Sequence, residues 1–347
     1  MTVLSLFNGC GCGLIALERA GIKVSDVYIS EIDKYANAVN KYHFPNSIQL
    51  GDVSDVSGYK LPKIDLIIGG SPCQGFSSAG LGLGLEDPRS KLFFEFVRIL
   101  KECRERNGSI LFLLENVVMK GKNGNQTENV ISEFLGVQPQ LINSNLFSAQ
   151  NRPRLYWSDI ATKADIFGNL TTNFQVPRKQ YPHVLKDVLQ EDFDDKYFLS
   201  ETALSGFCNR NEKRKGISGF LFKPNNINKK SNTILKGEGT LKCEGNYVQY
   251  YTHAGHDSQT HRVYFDTSKS ATLSKTNTER QHVFTSKSLI RKLTPLECER
   301  LQTLPEGYTS AGGQISDTQR YAMIGNGWTV DLVAHLFSQI IKKNEFN

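Results

Sequence analysis

Three short stretches carry side chains able to do covalent chemistry on a heteroaromatic ring. Cys73 stands in GGSPCQGFSSAG (69–80) just past one apolar run, and Glu115 opens ENV (115–117) at the end of another. Arg152 and Arg154 alternate across Pro153 in QNRPRLYW (150–157). A free thiol is only a few per cent thiolate at neutral pH, so a nucleophilic cysteine needs activation or a well-oriented electrophile. A carboxyl at the end of a buried strand needs a partner, and arginines two apart in an extended segment share one side. Thiolate addition at C6, proton sharing at N3 and the exocyclic amine, and a donor to O2 are what activation of a pyrimidine requires. The ordinary alternatives are a small buried hydrophobe for the cysteine and surface cations for the arginines.

A second constellation suits a nucleoside. FNGCGCG (7–13) follows an apolar strand-like stretch, Glu31 comes about twenty residues later at the end of a second, and Asp52 sits in LGDVSD (50–55) at a third. Small residues let a backbone approach a ligand closely, and an acid at the second strand end accepts from ribose hydroxyls. The spacing is Gly-x-Gly-x-Gly rather than the dinucleotide Gly-x-Gly-x-x-Gly, and Asp52 suits an adenine amino group. An adenosyl cofactor and a nicotinamide dinucleotide are both compatible with the first sixty residues; the cysteine stretch is not explained by the second.

These groups need a scaffold that brings strand ends together. TVLSLF (2–7), VSDVYISEID (24–33), IDLIIGG (64–70) and SILFLLENV (109–117) read as strands, with LIALERAG (14–21) and SKLFFEFVRILKECRER (90–106) as helices between them. This alternation predicts a parallel α/β sheet with ligands at the carboxyl ends of its strands. From about residue 165 to 285 Asn, Lys, Ser and Thr dominate, which predicts an inserted lobe of short strands and loops. LTPLECERLQTLP (293–305) restores helix character with Thr294 as N-cap and Pro295 at the first position. GWTVDLVAHLFSQIIKK (327–343) reads as an amphipathic closing helix. The expected division is residues 1–165 as the first body, 166–305 as the inserted lobe, and 306–347 returning to the first body.

At 347 residues and 39% hydrophobic, the chain can bury a large core. No run of about 18 apolar residues could span a bilayer, and Met1 to Phe7 lacks the features of a signal peptide, so an intracellular, cytoplasmic protein without membrane contact is expected. Seven cysteines without repeated paired spacing favour neither a disulfide framework nor a metal site. The net charge is +6, yet residues 203–292 hold sixteen Lys or Arg against six Asp or Glu. Such clustering suits a polyanion partner.

With its motifs in order from residue 2 to about 338, the chain resembles the C5-cytosine DNA methyltransferase family. FNGCGCG matches the cofactor loop, GGSPCQGFS the nucleophile motif, LLENV the glutamate motif, and QNRPRLYW the Gln-x-Arg-x-Arg motif. RKLTPLECERLQTLPEGYT and RYAMIGNGWTVDLVAHLF match the closing segments. SKLFFEFVRIL, ENVV and the tryptophan of GNGWTV are similar to the animal de novo branch, while the short chain is more like a bacterial or phage enzyme of a restriction-modification system. The resemblance implies a Rossmann-like sheet with an inserted target recognition domain, and methyl transfer from S-adenosylmethionine to C5 of a flipped-out cytosine in a specific short duplex sequence. It gives Cys73 the attack on C6, Glu115 contact with N3 and N4, Arg154 contact with O2, and Arg152 a supporting place. It assigns Phe7, Gly9 and Gly11 to the cofactor loop, Glu31 to ribose, Asp52 and Val53 to adenine, and Pro72, Leu92 and Asn326 to the pocket wall. Ile32 stands where many members carry an aromatic against adenine, and Cys12 where many have glycine. In the basic lobe Gln259 is the candidate to fill the space left by the flipped base, Arg262 to reach a guanine edge or a phosphate, and Thr272 to open a second recognition loop. Double-stranded DNA is the expected partner, a cognate restriction endonuclease the candidate protein partner, and a monomer the expected state with a dimer as alternative. An RNA cytosine methyltransferase and a catalytically silent DNA-binding regulator are the competing functions.

Overall fold

Continuous apolar runs rather than alternating ones form the central strands, because both faces of the sheet are covered. The computed structural model describes residues 1–71, 91–119, 124–213, 224–236, 246–249 and 290–345. β1 (Thr2–Leu6), α1 (Cys12–Arg19), β2 (Asp26–Ser30), α2 (Lys34–His43), β3 (Ile48–Gly51), β4 (Leu66–Gly69), α3 (Lys91–Asn107) and β5 (Leu111–Val117) come first. α4 (Gly124–Leu135), β6 (Gln140–Asn143) and β7 (Pro153–Ser158) complete the sheet, whose order is β3-β2-β1-β4-β5-β7-β6. Neighbouring residues of β4 face opposite cores: Leu66 and Ile68 join the layer with α1, and Ile67 joins Phe93, Phe96 and Ile99 of α3. The chain reverses direction across the sheet between β1 and β4, and such a switch point opens a crevice at the carboxyl ends of the strands.

The predicted strands and helices of this half form within a few residues of their expected ends. Two features differ from the sequence reading. α2 has no counterpart among the expected helices; Asp33 starts it, its carboxylate accepting from the N–H groups of Tyr35 and Ala36. The sheet is also not wholly parallel, because β7 runs antiparallel to both β5 and β6. Only nine residues separate β6 from β7, too few for the crossover that a parallel return needs. This reversal brings the start of β7 to the end of β5, with Arg154 opposite Val117.

Within the less apolar segment, β8 (Thr162–Ala164) and β9 (Leu170–Thr172) form a hairpin, and β10 (Tyr247–Gln249) pairs antiparallel with β11 (Ile290–Lys292). A helix not expected there, α5 (Glu201–Lys213), lies between β9 and β10. α6 (Pro295–Leu301) starts as predicted, with Thr294 and Glu297 forming a reciprocal capping box. Glu297 also holds Arg291 through two bonds of 2.7 and 2.8 Å, with both side chains fully buried. α7 (Asp317–Asn326) and α8 (Val330–Glu345) close the body, α8 lying on α1. No described helix is long and apolar enough to cross a membrane.

Candidate active site

Near its end β5 carries Glu115 into a nearly closed position, 8% exposed. Its Oε1 receives Arg154 Nε at 2.9 Å, and its Oε2 receives the indole Nε1 of Trp328 at 3.1 Å. Gly70, just past β4, makes this approach feasible: a Cβ there would lie 3.1 Å from both Glu115 Oε2 and Trp328 Nε1. Beside it, Asn116 Nδ2 donates to the carbonyl and hydroxyl of Ser71, tying the end of β5 to the end of β4 two residues before Cys73. Cys73 and Pro72 lie outside the described residues. Burial, then the neighbouring Glu115 carboxylate, pushes the Tyr156 phenol far up, so it stays neutral opposite Glu115.

Arg152 shares the side of Arg154 but is used differently. Its guanidinium donates to the carbonyls of Ile234, Gly325 and Gly327 at 2.9–3.0 Å, so it joins the start of β7 to the stretch around Ile234 and to the turn before α8. Burial, and then the Arg154 guanidinium, push it down to about 9, which leaves it charged at neutral pH. The turn it grips carries both Asn326, which is exposed at the end of α7, and Trp328.

Three adjacent strands supply the second cluster. After β1 the chain alternates through left-handed conformations at Phe7 (φ 54°), Gly9 (55°) and Gly11 (84°). Phe7 is strained there, a condition that persists only where surrounding contacts enforce it. The enforcing contacts are a chain of polar groups: Ser5 Oγ donates to Asn8 Oδ1, Asn8 Nδ2 to Asn40 Oδ1, and Asn40 Nδ2 to the Gly9 carbonyl. Tyr308 Oη donates to the Cys10 carbonyl from beneath. Gly11 has no room for a side chain, since a Cβ would meet Asn40 Oδ1 and Phe44 Cε2 at 2.9 Å.

At the end of β2 the Glu31 carboxylate accepts from the N–H groups of Gly9, Ile32 and Asp33 at 2.7–2.8 Å. Next to it Ile32 is 73% exposed, an apolar surface beside a carboxylate. After β3, Asp52 accepts from the N–H and hydroxyl of Ser54 through Oδ1, which holds its carboxyl below the ordinary range. Val53 is buried behind it, and Leu92 packs half-buried against the same core from α3. An acid aimed by backbone donors, an exposed apolar face and a second acid on successive strand ends match the ribose, base and amino group of an adenosyl cofactor.

The structure brings together Glu115 and Arg154, and separately Phe7, Gly9, Gly11, Glu31, Ile32, Asp52 and Val53. Gln259, Arg262 and Thr272 lie outside the described residues, as does most of the basic segment. Trp328, Asn116 and Asn40 were missed as site supports. Asn40 left a signal, being polar in the buried stripe Ala36, Val39, Asn40 of α2.

A doubly wound sheet with a nucleoside-shaped cluster on one side of its switch point and a paired carboxylate on the other defines a Rossmann-like, cofactor-dependent transferase. The chain matches the model of the C-5 cytosine-specific DNA methylase family over residues 1–342 and belongs to that family. It is thus a DNA cytosine-5 methyltransferase with S-adenosylmethionine as methyl donor. It is 29% identical to the orphan methyltransferase M.SPRI of Bacillus phage SPR, covering 98% of this chain and 97% of that one. To the type II methyltransferase M1.ScrFI of Lactococcus lactis subsp. cremoris it is 30% identical, covering 99% and 79%. In fold it is similar to the S. pombe Dnmt2 methyltransferase, with a TM-score of 0.66 and 17% identity over the whole of both chains. The family supports DNA as substrate and lends nothing to the RNA or silent-regulator readings.

Proposed function

We propose that the chain methylates C5 of a cytosine flipped out of a short duplex recognition sequence, through a covalent adduct between Cys73 and C6. Flipping is required because C5 and C6 cannot be approached in line within the stack. The reading is carried by the Glu115–Arg154 pair at the end of β5, tied through Asn116 to the strand end that leads into Cys73. Glu115 holds N3 and the exocyclic amine, and Arg154 donates to O2. As the sulfur–C6 bond forms, electron density moves to C5 and N3, where Glu115 shares a proton. S-adenosylmethionine, when bound, would supply an electrophilic methyl group to C5 and leave as S-adenosylhomocysteine. The C5 proton then passes to solvent, the N3 proton returns to Glu115, and the electron pair released at C5 expels the Cys73 thiolate from C6, restoring the aromatic ring.

Glu31 would hold the cofactor's ribose, Ile32, Asp52 and Val53 its adenine, and Phe7, Gly9, Gly11, Pro72, Leu92 and Asn326 would line the remainder. Residues 166–305 supply target recognition, with Gln259, Arg262 and Thr272 on the DNA. The enzyme acts as a monomer in the cytoplasm of a bacterium or phage-infected host. The resemblance to both orphan phage and type II enzymes leaves a cognate restriction endonuclease as candidate partner.

Base-resolution methylation sequencing of DNA from a methylation-free host expressing the chain tests the proposal, with Cys73→Ala as control. The expected result is modified cytosine in one short motif, absent from the control. Unmodified DNA, with the protein folded and S-adenosylmethionine bound, overturns it.

A further inference from the structure

Trp328 sits where the two clusters meet. Its indole N–H is one of two donors on the Glu115 carboxylate among the described residues, and its ring lies against the first turn of α1, where a Cβ on Gly13 would come within 3.1 Å of Cζ3. The residue before it, Gly327, packs on the Cys12 sulfur, which a Cβ there would meet at 2.9 Å. The turn beneath it is held by Arg152 and Gln302, both donating to the Gly327 carbonyl, and by Thr329 Oγ1 donating to Gln302 Oε1.

A carboxylate held through one oxygen can still rotate about its last bond. Donors from separate segments on both oxygens fix its plane, and an indole N–H can only donate. We propose that Trp328 is a positioning residue: it fixes the carboxylate plane of Glu115 and sets that plane in register with the first turn after the cofactor loop. This rests on the reading that Glu115 contacts the cytosine.

Trp328→Phe keeps a ring and removes the donor. Its turnover number is expected to fall about 10- to 100-fold, the range for a misplaced catalytic group, while Kd for S-adenosylmethionine and KM for DNA change less than about threefold. Glu115→Gln made in that background is expected to cost less than in the wild type, because residues acting as a unit are non-additive. Fluorescence supplies a reading independent of activity. The chain has two tryptophans, and Trp157 is fully buried with its N–H on Ser132 Oγ. Glu115→Gln is expected to change the emission of the wild type and leave that of Trp328→Phe unchanged. Should Trp328→Phe not fold, Gly70→Ala places a methyl between the indole and the carboxylate and is expected to give the same loss of turnover and a changed emission. Wild-type turnover in the variants, or emission indifferent to Glu115→Gln in both backgrounds, overturns the proposal. A wild-type protein that binds DNA and cofactor yet transfers no methyl overturns the functional reading and, with it, the role of Trp328.

Discussion

At the β1–β2–β3 side of the crevice the carboxylate of Glu31 is tied to main-chain N–H groups, whereas at the β5–β7 side the carboxylate of Glu115 is tied to other side chains. Glu31 accepts three backbone N–H groups and Asn40 holds the Gly9 carbonyl, so the cofactor loop is shaped by its own chain. Glu115 is shaped by Arg154 and Trp328, whose backbones lie 39 and 213 residues away along the sequence. The first arrangement is preformed and depends on glycine and left-handed geometry; the second depends on side-chain chemistry and on the correct docking of three distant segments. Damage to the first should therefore read out in binding and stability, and damage to the second in turnover.

The largest expected effect tests the second side. Glu115→Gln, nearly the same size, should lower the turnover number about 10²- to 10⁴-fold, the range for a positioned proton-sharing group, with cofactor affinity little changed. Single-turnover methylation beside calorimetric cofactor binding would check it, and an equal loss in both would erase the distinction. Next comes the loop itself. Gly11→Ala faces a left-handed φ, costing about 1–2 kcal/mol, together with overlap at Asn40 and Phe44. Gly9→Ala meets the same backbone penalty in open space. Cofactor affinity and thermal stability should both fall further for Gly11→Ala, and denaturant unfolding of the pair sharpens the comparison. The smallest effect is expected for Asn40→Ala, which removes two hydrogen bonds worth about 1 kcal/mol each. It should weaken cofactor binding several-fold while turnover at saturating cofactor persists.

Local patterns carried much of this into the sequence. The runs at Thr2–Leu6, Leu66–Gly69 and Leu111–Val117 are continuous because both their faces are buried, and Thr294 before Pro295 marks a helix start by its own chemistry. Pairing across distance left no such trace. Alternation puts Arg152 and Arg154 on one side, but only the antiparallel β7 sends Arg154 to Glu115, and only the closing turn gives Arg152 its three carbonyls. Trp328 carries a packing signal in its hydrophobicity and no hint of a carboxylate.

The Arg152 contact with Ile234 has a bearing on modularity. Ser231 is threaded against Ala149 and Asn151, and Gly325 meets the Leu235 carbonyl so closely that a Cβ would lie 2.3 Å from its carbon. On the proposed assignment of target recognition to residues 166–305, a grafted foreign lobe must therefore keep the recipient's strip from Ser231 to Leu235, which is built into the body it docks on.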